Sequence, residues 1–188
     1  GFSAESSMNN PLIVLGLIWL VGLGLLVLAL DMSPSQTANI DTIKEAAQSF
    51  IDQLRDDDEA ALCMFSTERD FYPISDPFFY EISTGKGGLQ DYIENHTIAS
   101  GGTTLYDSIY ESIDRADHGS KIKKAVVVLS DGVDTASTRT LADVVNYAKL
   151  KGVLLFTIFY VDSAYYPNAL ADTLKQLASE TSGLYYNS

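Results

Sequence analysis

The feature that most constrains the fold is the stretch formed by residues 25–35, which reads LLVLALDMSPS. Six apolar residues lead directly into Asp31, and two hydroxyl side chains follow at alternate positions, Ser33 and Ser35. A short, continuous apolar run is typical of a strand buried on both faces of a parallel sheet. Open α/β sheets bind ligands in the crevice beyond the carboxyl ends of their strands. The stretch therefore predicts a buried strand with oxygen donors at its ligand-binding end.

Strand and helix patterns alternate along the rest of the chain. Further strands are predicted at residues 59–66, 69–75, 121–130, 153–161 and 184–186. Pro73 removes a backbone donor, so the strand at 69–75 is expected at a sheet edge. Helices are predicted at residues 39–55, 89–95, 104–116, 140–151 and 168–181, with turns around Pro77, Gly85, Gly87 and Gly88. This alternation indicates an α/β fold with helices on both faces of a parallel sheet.

Composition and charge narrow the classes of function. The chain has 188 residues and a formal net charge of −13, which repels phosphate backbones and argues against nucleic-acid binding. The same charge attracts cations. The single cysteine, Cys63, excludes an intrachain disulfide, and its apolar neighbours predict a buried, unreactive thiol.

The beginning of the chain combines a polar segment with a long apolar run. Residues 12–30 contain no charged or polar side chain, but the strand that ends at Asp31 requires the last six or seven of them. The remaining apolar residues would form a helix of about 20 Å, which is short for a bilayer span. Two interpretations stay open: a membrane span or its remnant, and an extra element packed on a neighbouring domain. Residues 1–24 are therefore expected to be an anchor or docking element, and residues 25–188 a single domain.

Three separate pieces of sequence point to one site. The first contains Asp31, Ser33 and Ser35, the second is the segment 101–107 with Thr103 after two glycines, and the third ends a strand at Asp131. Carboxylates and hydroxyls are hard oxygen donors, which favour Mg²⁺, with Ca²⁺ or Mn²⁺ as alternatives, over Zn²⁺ or Cu²⁺. Each residue taken singly also fits a turn or helix-cap role.

At these residues the sequence resembles the von Willebrand factor type A domain. It resembles most the bacterial forms that carry SDGxDT after the fourth strand, here residues 130–135. The family's metal-ion-dependent adhesion site has the pattern DxSxS…T…D, which falls on Asp31, Ser33, Ser35, Thr103 and Asp131. The sequence departs from the family around Ser35, which has Pro34 before it and Gln36 after it. Because proline fixes one backbone angle, this departure could tilt Ser35 and weaken the site.

The resemblance implies a Rossmann-like, doubly wound, mostly parallel six-stranded sheet with one antiparallel edge strand, in which the first and fourth strands are neighbours. It also implies a non-enzymatic module that holds one divalent cation and binds an exposed Asp or Glu of a partner protein. Two rival hypotheses are a structural or assembly domain of a membrane-attached complex, with residues 11–24 as the attachment, and a Mg²⁺-dependent hydrolase. An extracytoplasmic location, secreted or membrane-anchored, is favoured over a cytoplasmic one.

Several other residues receive more ordinary interpretations. Asp107 and Asp134 are expected in turn and capping roles, Asp107 in a capping box with Thr104. Tyr165 and Tyr166 lie in a loop on the ligand side of the sheet, where they fit either a partner-contacting rim or simple cover over a helix. His96 and His118, which have no ligand spacing, are expected at the surface.

Overall fold

The structure is a computed structural model that describes residues 24–75, 78–98, 101–160 and 169–187. Within these ranges the strands form one mixed sheet. Its strands are β1 (Leu25–Asp31), β2 (Glu59–Phe65), β3 (Arg69–Tyr72), β4 (Tyr80–Glu81), β5 (Lys124–Ser130), β6 (Leu154–Phe159) and β7 (Tyr185–Asn187). The order across the sheet is β3-β2-β1-β5-β6-β7, with the short β4 also paired to β2.

Helices cover both faces of this sheet. They are α1 (Ile40–Gln53), α2 (Ile82–Asn95), α3 (Leu105–Asp117), α4 (Leu141–Lys151) and α5 (Ala169–Glu180). The buried residues of α1 and α2 pack in one hydrophobic cluster, and those of α3, α4 and α5 pack in the other. The predicted doubly wound α/β architecture is confirmed.

Strand β1 is an inner strand of the sheet, between β2 and β5. All seven of its residues are buried, and successive side chains alternate between the two clusters: Leu26 and Leu28 face α1 and α2, while Val27 and Ala29 face α3, α4 and α5. Complete burial of a leucine or valine side chain contributes roughly 1.5–3 kcal/mol. The continuous apolar run therefore reflects a strand with no solvent-facing side.

The winding of the chain reverses beside β1. Strand β1 pairs in parallel with β2 on one side and with β5 on the other, so later strands of the sheet lie on both sides of β1. The register places Leu30 opposite Leu129, which brings the carboxyl ends of β1 and β5 to the same level. Open α/β sheets have their binding crevice at this position. The prediction that these two strands are adjacent in the sheet is confirmed.

Two antiparallel strands lie along the β2 side of the sheet. Strand β3 lies at the edge of the sheet, as predicted from Pro73, although it ends at Tyr72, before the proline. It pairs antiparallel with β2, as the family resemblance implied. The sheet also contains the two-residue strand β4, antiparallel to β2, so seven strands rather than the expected six are present in the described ranges. Strand β4 is too short to leave a periodic pattern in the sequence, and only its pairing with Glu59 and Ala60 defines it.

The predicted glycine-rich turns before residue 89 are wrong, because α2 begins at Ile82 and continues to Asn95. Burial of Ile82, Leu89 and Ile93 against the sheet outweighs the low helix propensity of glycine. Gly85 also allows a close approach, since a Cβ at that position would lie 2.2 Å from Cβ of Tyr80. Tertiary packing therefore decides the beginning of this helix.

Of the two capping boxes predicted from the sequence, the one at α4 is present and the one at α3 is not. Thr140 and Asp143 form the reciprocal capping box of α4, and Gly152 ends that helix with a left-handed φ of 66°. At α3 the expected box is absent, because the Thr104 hydroxyl donates instead to the carbonyl of Ser66 at 2.9 Å. Thr104 thus connects α3 to the end of β2.

The predicted anchor or docking element, residues 1–24, lies outside the described residues except for Gly24. Among the helices that the structure does describe, none combines the length and the apolar character needed to cross a bilayer.

Cys63 is fully buried in β2, and burial raises the pKa of its thiol to about 12, in agreement with the predicted unreactive role.

Candidate metal centre

Asp31 is held rigidly at the end of β1. Its side chain is fully buried, and the backbone N–H of Ser33 donates to Oδ1 at 3.0 Å. The hydroxyl of Ser130, the last residue of β5, donates to Oδ2 at 2.6 Å. Each carboxylate oxygen therefore has a donor, and the side chain cannot rotate without breaking a hydrogen bond.

The two serines that follow β1 lie on a tight turn. Ser33 is buried and Ser35 is exposed, and their hydroxyl oxygens are 3.0 Å apart. Pro34 begins a single 3₁₀ turn, Pro34–Gln36, for which its fixed φ is suited. Gln36 is buried and donates from Nε2 to the carbonyl of Tyr160 at 3.1 Å, which ties the turn to the end of β6. The proline thus accompanies an ordered turn with the two hydroxyls side by side.

Thr103 lies in the segment that leads into α3. Its residue is buried, and its backbone N–H donates to the hydroxyl of Thr135 at 2.8 Å. Its carbonyl accepts hydrogen bonds from the backbone of Thr135 and Ala136 at 2.9 and 3.0 Å. These bonds attach Thr103 to the loop that follows β5. They use only its backbone groups and do not involve its side-chain hydroxyl.

Asp131 follows β5 directly and carries the least satisfied atom of the region. Its Oδ1 accepts a hydrogen bond from the backbone N–H of Val133 at 2.9 Å. Its Oδ2 is buried and is one of two buried side-chain oxygens without a hydrogen-bond partner among the described residues. A buried carboxylate oxygen that has no donor is uncommon, and it fits a position where a cation binds.

The two carboxylates influence each other electrostatically. The pKa of Asp31 is raised to about 6, mainly by burial and to a smaller extent by the nearby charge of Asp131. The hydrogen bonds from Ser130 and Ser33 oppose this shift because they stabilise the ionised form. Two buried acidic groups in one place favour the binding of a positive ion that neutralises both.

Asp107 and Asp134 organise the surrounding loop. Asp107 accepts hydrogen bonds from the backbone N–H groups of Thr138 and Arg139 at 3.1 and 3.0 Å, and it pairs with the Arg139 guanidinium at 3.2 Å. Asp134 accepts from the hydroxyl of Ser137 at 2.6 Å. Both oxygens of Asp107 and Oδ1 of Asp134 accept hydrogen bonds from the protein itself, in keeping with the turn role expected for these residues.

The donor set fits a hard divalent cation. Two carboxylates and three hydroxyls contribute only oxygen, the ligand type that Mg²⁺, Ca²⁺ and Mn²⁺ prefer. Among the described residues there is no cluster of three or more His, Cys, Asp or Glu side chains suited to a metal. The candidate centre is of a different kind, because most of its donors are hydroxyl groups.

The structure places the predicted residues as follows. Asp31, Ser33 and Ser35 form one hydrogen-bonded group, Asp131 adjoins it through Ser130, and Thr103 is bonded to the loop that follows Asp131. Tyr165 and Tyr166, the predicted rim, lie outside the described residues. His96 is half-buried rather than free at the surface, with Nε2 2.9 Å from Oδ2 of Asp70.

Sequence reasoning missed two supporting residues, Ser130 and Thr135. Both belong to the segment SDGVDT, whose only recognised ligand was Asp131. Ser130 orients Asp31, and Thr135 positions the backbone of Thr103. The position of Ser130 at the carboxyl end of β5 could have identified it. Because β5 is the parallel neighbour of β1, the last residues of the two strands lie side by side.

The fold and the cluster define a Rossmann-like α/β domain with a group of oxygen donors at the switch point of its sheet. The chain belongs to the von Willebrand factor type A domain family, whose model matches residues 26–188. Domains of this family generally mediate protein interactions and are typically not enzymes. A comparison with curated proteins found no match.

Solved structures share this fold at low sequence identity. BatB from Bacteroides thetaiotaomicron, a conserved hypothetical protein, is 16% identical with a TM-score of 0.63, and the match covers 89% of this chain and 90% of that one. An aerotolerance-related membrane protein from Bacteroides fragilis, with multiple mutations to serine, is 16% identical with a TM-score of 0.60, over 89% and 92% of the two chains. A von Willebrand factor type A protein from Catenulispora acidiphila is 17% identical with a TM-score of 0.71, and the match covers 88% of this chain but 38% of that one.

Proposed function

We propose that this chain is a metal-ion-dependent protein-binding module that holds one divalent cation, Mg²⁺, and binds an acidic residue of a partner protein. The ligands are the five residues of the DxSxS…T…D pattern: Asp31, Ser33, Ser35, Thr103 and Asp131. The observation that carries the proposal is the buried, unpartnered Oδ2 of Asp131, beside a second buried carboxylate.

The chemistry of the donors supports the role of the partner. Three of the five ligands are neutral hydroxyls, and Asp31 already shares its charge with the hydroxyl of Ser130. With neutral hydroxyls as most of its protein ligands, Mg²⁺ keeps water ligands that a stronger anionic donor can replace. The cation would supply a positive, open coordination position for a carboxylate. Ser35, which is exposed, lies on the side from which a partner can approach.

The supporting residues keep the ligands in place before the cation arrives. Ser130 fixes the orientation of the Asp31 carboxylate, and Thr135 holds the backbone of Thr103. Gln36 anchors the serine turn to the end of β6. Because these contacts are made within the protein itself, they favour a site whose ligands are already oriented.

Calorimetric titration of the full chain with Mg²⁺, Mn²⁺ and Ca²⁺ tests the metal site. Replacing Asp31 or Thr103 with alanine should abolish cation binding while far-UV circular dichroism stays unchanged. Thr84→Ala, on the exposed side of α2, is the matched control and should bind the cation normally. Unchanged Mg²⁺ affinity in both site variants would overturn the proposal. Assays with phosphatase and esterase substrates in Mg²⁺ separate it from the rival hydrolase.

We also infer an extracytoplasmic, membrane-attached location, in which residues 11–24 attach the domain and the chain serves as an assembly component. Two observations favour it: the apolar character of residues 12–23 and the shared fold with the Bacteroides fragilis membrane protein. Detergent partitioning of chains with and without residues 1–24 tests the attachment. Equal partitioning of the two chains into the aqueous phase would contradict it.

A further inference from the structure

The edge of the sheet opposite the candidate metal centre, here called the amino edge, is where the parallel strands begin. It contains the loop of residues 118–123, the segment 54–58 and the end of α4. Six of the chain's 12 lysine and arginine residues lie here: Arg55, Lys121, Lys123, Lys124, Lys149 and Lys151. In a chain with a net charge of −13, half of the positive charge is therefore concentrated at one edge.

An unusually exposed hydrophobic residue lies within this basic region. Ile122 is 99% exposed, and Lys121 and Lys123 are its immediate neighbours. On the same edge Leu150 is 77% exposed, again between two lysines. Single exposed hydrophobic residues are ordinary, but an apolar tip surrounded by lysines has the composition of a membrane-interface contact.

The path of the chain connects this loop to the apolar run. Gly24 and Leu25 both donate backbone hydrogen bonds to the carbonyl of Lys123, at 3.3 and 3.0 Å. Gly24 also approaches Lys121 so closely that a Cβ there would lie 2.5 Å from Cβ of Lys121. The twelve residues that precede Gly24 have no charged or polar side chain. The basic loop therefore adjoins the point where that apolar sequence joins the domain.

Three of the six basic side chains of the amino edge are in ion pairs, and the buried Glu59 accepts hydrogen bonds from Ser120. Asp58 lies 3.0 Å from the guanidinium of Arg55, Glu180 lies 3.2 Å from Nζ of Lys149, and Asp117 pairs with Lys151. Asp56 and Asp57 are exposed nearby. The segment 121–124 itself carries three lysines and no acidic residue.

We propose that the segment 121–124 docks the amino edge onto a bilayer surface that carries anionic phospholipids, with Ile122 inserted between the headgroups. Lysines near an anionic surface each gain about a fivefold preference for it, and the apolar side chain adds burial. Strand β1 spans seven residues at roughly 3.3 Å per residue, so docking presents the candidate metal centre about 20 Å from the surface, facing away from it. The proposal rests on the membrane attachment proposed above, which detergent partitioning tests separately, and does not depend on whether that centre binds a cation.

A fluorescent probe at the loop tests the docking directly. We would label Ile122→Cys with an environment-sensitive dye in the full chain, reconstituted into phosphatidylcholine vesicles with about one-third phosphatidylglycerol. The native Cys63 is fully buried, and burial raises the pKa of its thiol to about 12, so the introduced thiol reacts selectively. The matched control is Ile74→Cys, since Ile74 is 79% exposed at the β3 side of the sheet.

The expected result is quenching of the probe at position 122, but not at 74, by lipids that carry a quencher near the headgroup. Reversing two charges with Lys121→Glu and Lys123→Glu should lower the ratio of docked to undocked domain by at least about 30-fold at low salt. Lys44→Glu with Lys175→Glu, an equal change of charge elsewhere, should leave the ratio within about twofold, because those side chains lie away from the amino edge.

Three outcomes would overturn the proposal. Equal lipid quenching at positions 122 and 74 would show that the loop does not approach the bilayer. Equal quenching at 122 in pure phosphatidylcholine vesicles would remove the role of the anionic lipid. Protection of the probe from an aqueous quencher without any lipid quenching would show that a protein surface, such as a second copy of the chain, covers the loop.

Discussion

The hydroxyl of Ser130 donates a hydrogen bond of 2.6 Å to Oδ2 of Asp31, across 99 positions of sequence. Both residues end strands that lie side by side at the reversal of the sheet. Ser130 also accepts a hydrogen bond from the backbone N–H of Gly132 at 3.0 Å, so one side chain fixes both the carboxylate and the loop that carries Asp131.

Ser130→Ala should therefore destabilise the protein. It leaves a buried oxygen of Asp31 without its donor, and loss of a hydrogen bond to a buried charged group costs about 1.5–3 kcal/mol of unfolding free energy. Urea denaturation measures this loss. Ser112→Ala is the matched control, because that buried hydroxyl has only uncharged partners among the described residues, the carbonyl of Ser108 and the thiol of Cys63, and its removal should cost less than about 1 kcal/mol. Equal costs for the two variants would contradict the assigned role.

Mg²⁺ should raise the thermal stability of the chain. A ligand that binds the folded state alone adds about 2.7 kcal/mol at a hundredfold excess over Kd, which for a chain of this size shifts Tm by roughly 5–10 °C. Differential scanning calorimetry with increasing Mg²⁺ checks this expectation, and Thr103→Ala should show no shift. An equal shift in that variant would mean that the ion binds elsewhere.

Asp107 should make the stability depend on pH in the acidic range. Burial by itself would raise its pKa, but the hydrogen bonds from Thr138 and Arg139 outweigh burial and lower the pKa below its usual value. A carboxyl group with a lowered folded-state pKa stabilises the protein above its unfolded pKa of about 3.9, and this contribution is lost as the pH falls through and below that value. Asp107→Asn should cost about 2–3 kcal/mol at pH 7 and progressively less at lower pH. Unfolding free energies measured from pH 7 to pH 3 decide the point, and a cost that does not change with pH would contradict it.

Tyr110 and Tyr147 should couple α3 to α4. Their rings stack with centroids 4.0 Å apart, and the Arg139 guanidinium lies 4.2 Å from the centroid of the Tyr110 ring. A double-mutant cycle with Tyr110→Leu and Tyr147→Leu should give a coupling free energy of about 0.5–1.5 kcal/mol. A cycle between Tyr147 and the distant Tyr72 should give almost none. Additive effects of the stacked pair would contradict the assigned coupling.

The strands at the centre of the sheet could be predicted because they are buried on both faces. The apolar run that ends at Asp31 and the run that ends at Ser130 can each be recognised from the local sequence alone. A strand covered by helices on both faces needs apolar side chains on both faces, whatever elements pack against it. The beginning of α2 could not be predicted in the same way. Its glycines oppose a helix locally, and only the burial of Ile82 and the close approach of Gly85 to Tyr80 explain why one forms.

The sequence by itself determined the central strand, the alternating α/β order and the chemical type of the donors, because apolar runs and oxygen-bearing residues are local properties of the chain. Only the tertiary structure decided that Ser130 orients Asp31, that Thr135 positions Thr103 and that Oδ2 of Asp131 has no donor among the described residues. Those relationships join residues that are tens of positions apart, and no local pattern specifies which hydroxyl lies beside which carboxylate. The pairing of β1 with β5 brings them together and fixes their partners.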